Sequence, residues 1–284
     1  MVEGQEGVRW EDWLALARAT EELGFEALFR SDHYGPVVAQ EERGSLDAWA
    51  TLAGLAAVTT TLRLGTMVSP VTFRRVPVLA KMVTTVDHIS RGRVELGLGA
   101  GWFEAEHDAY GLAFPPLRER LDELDRQLAE IVRHWTEAPE IQPKPLQQPR
   151  PPIIIGGTAK PRTVRAAVAH ADEYNTVAPS VDEARERKRV LDEAALAAGR
   201  APLRFSMMTG CVVGRDEREL GDRLAQFKAL TGNDAPPVFG TVDQVVERLR
   251  EYEAVGVERA MLQHLVHEDV EMVAAVGEVA ARLG

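Results

Sequence analysis

The chain has 284 residues, 45% hydrophobic and 27% charged, enough apolar material for one large core or two small ones. Its net charge of −11 argues against a nucleic-acid or anionic-membrane partner, and no apolar run approaches membrane-spanning length. A lone cysteine, Cys211, excludes an internal disulfide and fits a reducing cytoplasm, while MVEGQEGVRW lacks the basic start and apolar run of a signal peptide.

Along the chain, short apolar runs alternate with amphipathic helices. Residues 1–3 read as a strand stub and 10–23 as a helix, with Trp13, Leu14, Ala17 and Leu23 on one face and Gly24 as its stop. A strand at 27–30 leads into a polar loop at 31–45, then a helix at 46–58 and a strand at 62–68. Proline at position 77 opens a helix to 89, followed by a strand at 94–98. Leu117, Leu121, Leu124, Leu128 and Val132 stripe a long helix. The proline-rich segment 141–152 reads as a stiff external connection, because the alternation resumes beyond it. Strands at 153–155, 173–177, 203–213 and 260–265 then alternate with helices at 162–170, 181–198, 217–230, 242–255 and 270–283.

Strands alternating with helices imply a parallel sheet with right-handed crossovers. Seven strands and a stub predict an α/β fold, a (β/α)8 TIM barrel forming a single domain over residues 1–284. In such a barrel the chemistry sits on the loops that follow the strands. Several strand ends carry residues suited to it: Ser31 to Tyr34, Ser69 to Phe73, Gly99 to His107, Gly156 to Thr158, Asn175, and Gln263 with His264.

The segment RGRVELGLGAGWFEAEHDAYG (91–111) is the most informative of these. Gly97, Gly99 and Gly101 remove side chains at a strand's end, where something flat or bulky must lie against the backbone. Trp102 offers a wall, and Glu104, Glu106, His107 and Asp108 offer proton-handling groups. After the strand at 27–30, Asp32, His33 and Tyr34 place a carboxylate, an imidazole and a phenol together. Histidine is the natural acid or base near neutral pH, and a nearby carboxylate orients it and raises its pKa. His33 is therefore the expected proton handler, oriented by Asp32, with His107 and His264 as fallbacks.

LGTMVSP (64–70) brings glycine and proline close together at a strand end, a spacing that suits a bulge. Gly156, Gly157 and Thr158 end a strand just before a helix, the arrangement that binds phosphate through backbone N–H groups. Arg74, Arg75, Lys160 and Arg162 are the candidate cations for an anionic cofactor tail. GLGAGW is not a dinucleotide fingerprint, since Trp102 stands where that pattern wants Gly or Ala. No zinc, di-iron or nucleophile-elbow pattern is present, so no metal site is expected.

Taken together, LARATEELGFEALFRSDHY, the block from TTTLRLGTMVSP to GLGAGWFEAEHDAYG, and PKPLQQPRPPIIIGG resemble the bacterial-luciferase-like superfamily, in particular its coenzyme F420-dependent branch. The resemblance spans nearly the whole chain. It implies a flavin or deazaflavin ring held at the strand ends of a (β/α)8 barrel. It places Asp32 and His33 beside that ring and gives Met67-Val68 a bulge with a non-prolyl cis peptide behind it. Thr66, Gly99, Ala100, Gly101, Trp102 and Asn175 join the cofactor site, Gly156 to Thr158 hold its phosphate, and Tyr34, Glu106 and His264 line the substrate pocket. The activity implied is hydride transfer between F420 and an unidentified small organic substrate, in a homodimer. An FMN-dependent monooxygenase using reduced flavin and O2, or a cofactor-binding barrel without turnover, are the alternatives. Relatives begin with a full first strand, so the first strand here is expected to be truncated, and the connection 135–144 is shorter than theirs.

Overall fold

The computed structural model describes residues 1–38 and 43–284, so part of the polar loop expected at 31–45 lies outside the described residues. Helix α1 (Trp10–Glu22) leads into strand β1 (Ala27–Arg30), and α2 (Ala48–Val58) into β2 (Arg63–Thr66) and a two-residue β3 (Ser69–Pro70). Next come α3 (Val76–Ser90), β4 (Val94–Gly99), α4 (Glu104–Tyr110), α5 (Leu117–Thr136) and β5 (Ile153–Gly157). The second half runs α6 (Pro161–His170), β6 (Glu173–Val177), α7 (Val181–Ala197), β7 (Arg204–Gly214), α8 (Glu217–Thr231), β8 (Val238–Thr241), α9 (Val242–Glu253), β9 (Arg259–Gln263) and α10 (Val270–Leu283).

The single strand expected at 62–68 is two strands, β2 and β3, separated by the Met67-Val68 bulge, whose peptide is cis. Two further elements escaped the sequence reading. Helix α4 is only seven residues long, too short for a periodic stripe. Strand β8 pairs with the far end of the eleven-residue β7, in parallel, from Cys211 to Gly214.

All strand pairing is parallel, in the order β1-β2-β4-β5-β6-β7, with β9 on the other edge of β7. The barrel closes through one residue: Val2 bridges Arg30 at the end of β1 and His264 just after β9. The Val2 N–H donates to the Phe29 carbonyl at 2.9 Å, the His264 N–H to the Met1 carbonyl at 2.9 Å, and the Met1 amine to the Leu262 carbonyl at 3.0 Å. Below that bridge β1 and β9 do not pair with each other, and a cavity of about 160 Å³ lies between them, lined by Leu16, Leu28, Ala260, Met261, Met272 and Val276 among others.

Helices cover the outside of the barrel, and the main core lies between them and the outward-facing strand residues Leu28, Leu64, Leu96, Leu98, Ile153, Ile155 and Phe205. Alternation along each strand sends the intervening residues inward. Phe29, Met67, Ile154 and Met261 form a separate apolar cluster inside the barrel, joined at its edge by Val68 and Met208.

Beneath that cluster the barrel floor is ionic. Arg259 bonds Glu95 at 2.8 Å and Glu173 at 3.0 Å and also reaches Glu26, while Arg63 pairs with Glu95 and Arg204 with Glu26. Opposite charges there are matched, because an unpaired charge in a barrel centre costs several kcal/mol. Arg259→Met is expected to destabilise the fold by about 3–5 kcal/mol in urea unfolding, since it strands buried carboxylates. Burial pushes the Glu173 carboxyl from 4.5 up to about 7, against the opposing pull of Arg259. A carboxyl raised in the folded state contributes stability below its unfolded pKa and loses it as pH rises through its folded one. Unfolding free energy is therefore expected to fall between about pH 5 and about pH 8, and Glu173→Gln to flatten that part of the profile. An unchanged slope in the Gln variant would contradict the assignment.

Candidate active site

The site is built at the C-terminal ends of the strands, and its bed is Val68. A Cβ on Gly99 would lie 2.6 Å from Val68 Cγ2, and one on Gly97 would lie 3.2 Å from Val68 Cγ1 and 2.0 Å from the Thr66 carbonyl oxygen. Real Cβ atoms do not approach that closely, so β4 must be side-chain-free where the bulge leans on it. A Cβ on Gly156, on the next strand, would meet Val68 Cγ1 at an ordinary 3.5 Å. The glycines read from sequence as room for a ligand are thus first room for Val68. Thr66 is committed below it, donating to the Gly97 carbonyl at 3.0 Å. Met67 belongs to the apolar cluster inside the barrel.

Beside this bed, Asn175 is wholly buried and donates through Nδ2 to Ser206 Oγ at 2.8 Å, while its Oδ1 has no partner among the described residues. A buried acceptor left open costs free energy unless a ligand or water satisfies it, so Asn175 suits an N–H at the edge of a bound ring. On β5, Gly157 closes on the Tyr174 hydroxyl, which also accepts the Ala159 N–H at 2.8 Å. Thr158 is exposed just before α6, whose N-cap residue Lys160 makes no side-chain cap and leaves the first-turn N–H groups open. The ends of β5 and β6 therefore fit the phosphate and edge of a flavin-like cofactor.

Past Gly101, which has φ of +78°, Trp102 turns outward at 63% exposure. Its ring stands edge-on to His33 at 5.7 Å between centroids. Ala100 is half-buried on the same turn. Trp102 thus borders the histidine while remaining exposed.

Asp32 and His33 do not form the expected pair. Neighbours in an extended segment project to opposite sides. Asp32 turns away, accepting from Ser69 Oγ at 2.6 Å and from both Arg74 guanidinium nitrogens, at 2.6 and 3.2 Å. His33 instead bonds Glu106 Oε1 through Nδ1 at 2.8 Å, while Glu106 Oε2 accepts the Tyr34 N–H at 2.9 Å. Glu106 thus engages Nδ1 of His33 and leaves Nε2 as the ring nitrogen without a partner among the described residues. Burial opposes protonation of His33, but Glu106, with Glu3 and Asp32 behind it, outweighs burial and raises its pKa.

Several other expectations are corrected. Glu106 does not line the pocket: it is 3% exposed and occupied by His33 and Tyr34. Tyr34 stacks on Phe73 at 4.4 Å and tilts against Tyr110. His264 projects away from the interior-facing Gln263, donates through Nε2 to the Asp269 carbonyl at 2.9 Å, and lines the seam cavity; burial lowers its pKa to about 4. His107 is tied at both nitrogens, to Thr72 Oγ1 at 2.6 Å and the Phe103 carbonyl at 2.7 Å. Of the candidate cations, Arg74 is held by Asp32 and Asp47, and Arg162 by Asp122 and Asp125, whereas Arg75 and Lys160 are exposed. The Glu106 contact was missed because it joins residues 73 positions apart.

The family model for luciferase-like monooxygenase matches residues 2–236. An F420-dependent hydroxymycolic acid dehydrogenase of Mycobacterium tuberculosis is 28% identical over 95% of this chain and 76% of its own. An F420-dependent secondary alcohol dehydrogenase superposes with a TM-score of 0.80 at 17% identity, covering 98% of this chain and 96% of that one. A monooxygenase from Streptomyces bottropensis superposes with a TM-score of 0.79 at 21% identity, covering 96% and 93%. The neighbours share the TIM-barrel fold.

The Glu106 contact makes a direct prediction. In the native protein the His33 imidazole should titrate above the ordinary 6.5, and Glu106→Gln should bring it below, because burial is then less opposed. NMR titration of the ring protons reads this, and an unmoved value would remove Glu106 as its partner.

Proposed function

The chain belongs to the luciferase-like monooxygenase family, and on that footing we propose that it is an oxidoreductase transferring a hydride between coenzyme F420 and a small organic alcohol or carbonyl compound. When bound, the deazaflavin supplies a carbon that accepts or returns a hydride. His33 handles the accompanying proton. In the oxidative direction the substrate C–H leaves as hydride with two electrons, and the O–H proton passes to His33 Nε2. Glu106 stabilises the imidazolium that forms, and Tyr34, through its N–H, holds Glu106 in place.

The carrying observation is the fixed His33–Glu106 pair, with an Nε2 that has no partner among the described residues. A group poised in this way suits proton transfer to an oxygen, and such help is worth roughly a hundred- to ten-thousand-fold in rate. An F420-dependent relative aligned over 95% of the chain supports the same cofactor. Val68 would back the ring, Asn175 Oδ1 would accept from its edge, and Gly156 to Thr158 with the α6 N-terminus would hold its phosphate. Lys160 is the exposed cation suited to an anionic tail in a protein of net charge −11.

Titration with F420 and with FMN, followed by absorbance, separates this cofactor from the flavin of a monooxygenase; tight FMN binding without F420 binding reverses the assignment. His33→Ala is expected to lower turnover by about a hundredfold or more while cofactor affinity stays within a small factor. Near-normal turnover in the folded variant removes His33 from the reaction. Gly99→Ala should displace Val68 and weaken cofactor binding in a protein that still folds, as read by calorimetry and circular dichroism.

A further inference from the structure

Around His33 the side chains are aromatic and the charges are negative. Trp102 and Phe103 stand edge-on to its ring at 5.7 and 6.1 Å and lie 5.3 Å from each other. Exposed single aromatics are common, but Trp102, 63% exposed, packs on Phe103 beside His33, while Tyr110, 58% exposed, tilts against Tyr34 in a second group with Phe73. Arg74 and Arg30 are held by the protein. Arg74 is 7% exposed between Asp32 and Asp47, and Arg30 is buried over Trp13, bonded to the Ser31 and Leu46 carbonyls. The charges acting most strongly on His33 are Glu106, Glu3 and Asp32.

We infer that the substrate taken at His33 is uncharged and carries a flat apolar group, such as an aryl ring, seated against Trp102, and that carboxylated or phosphorylated compounds are turned away. This rests on the reading of the site as that of an F420 oxidoreductase and adds its substrate class. An indole face beside the reacting position offers area and offset stacking to a flat apolar group. With His33 neutral, an anion there meets Glu106, Asp32 and Glu3, while Arg74 is already held by Asp32 and Asp47 and Arg30 is buried over Trp13, so at a pH above the His33 pKa it is expected to bind about tenfold more weakly or worse.

The test uses the cofactor-free protein and a matched pair of probes, benzyl alcohol and 4-(hydroxymethyl)benzoate, followed by tryptophan emission. Benzyl alcohol is expected to shift the emission, the shift to be lost in Trp102→Phe, and the benzoate to bind at least about tenfold more weakly. Equal or tighter binding of the benzoate overturns the inference, as does a silent response to both probes or a response that survives Trp102→Phe. F420 titration of the same sample keeps the two readings apart. F420 binding with a preference for the benzoate refutes the substrate class alone. Alcohol binding at Trp102 without F420 binding refutes the cofactor and leaves the substrate class standing.

Discussion

The site depends on one steric constraint: Val68 must lie against a strand that has no side chains to refuse it. With Cβ atoms on Gly97 and Gly99 the bulge could not settle, since one would meet the Thr66 carbonyl at 2.0 Å and the other Val68 at 2.6 Å. The bulge also interrupts β2 and starts β3, which brings Ser69 to within 2.6 Å of Asp32. Ser69 in turn accepts from the buried Trp49 indole at 3.0 Å. The placement of Val68, the strand break and the anchoring of Asp32 thus follow from the absence of side chains at Gly97 and Gly99 of β4.

A division of labour among the acids follows from that anchoring. Asp32 is spent on Arg74 and Ser69 and stiffens the loop after β1. Glu106, arriving from α4, is spent on His33. Each carboxylate is buried and each has partners for its charge, as burial requires. The same logic governs the floor, where Arg259 gathers Glu95, Glu173 and Glu26 beneath the apolar cluster. Charges therefore sit at both ends of the barrel, with an apolar layer between them against which Val68 packs.

The sequence made much of this legible. Alternating strands and helices gave the barrel, and the glycine run and the SDHY segment gave the strand ends where the site lies. The place of His33 after β1, at the end of the barrel where strand-end chemistry sits, was readable. Its partner was not readable. Asp32 is adjacent in sequence and Glu106 is 73 residues away, and adjacency favours the wrong acid in an extended segment. His264 misled for a related reason: following a strand does not say which face a side chain takes, and it faces the seam between β1 and β9.

What the sequence determined by itself was what depends on local pattern: which segments are strands, which are helices, and where glycine frees the backbone. Only the tertiary structure decided what fills the space the glycines leave, which acid holds His33, and which arginines are already neutralised. Those are matters of contact between distant residues, set by strand register and by the face each side chain takes, and a shift of one residue reverses them.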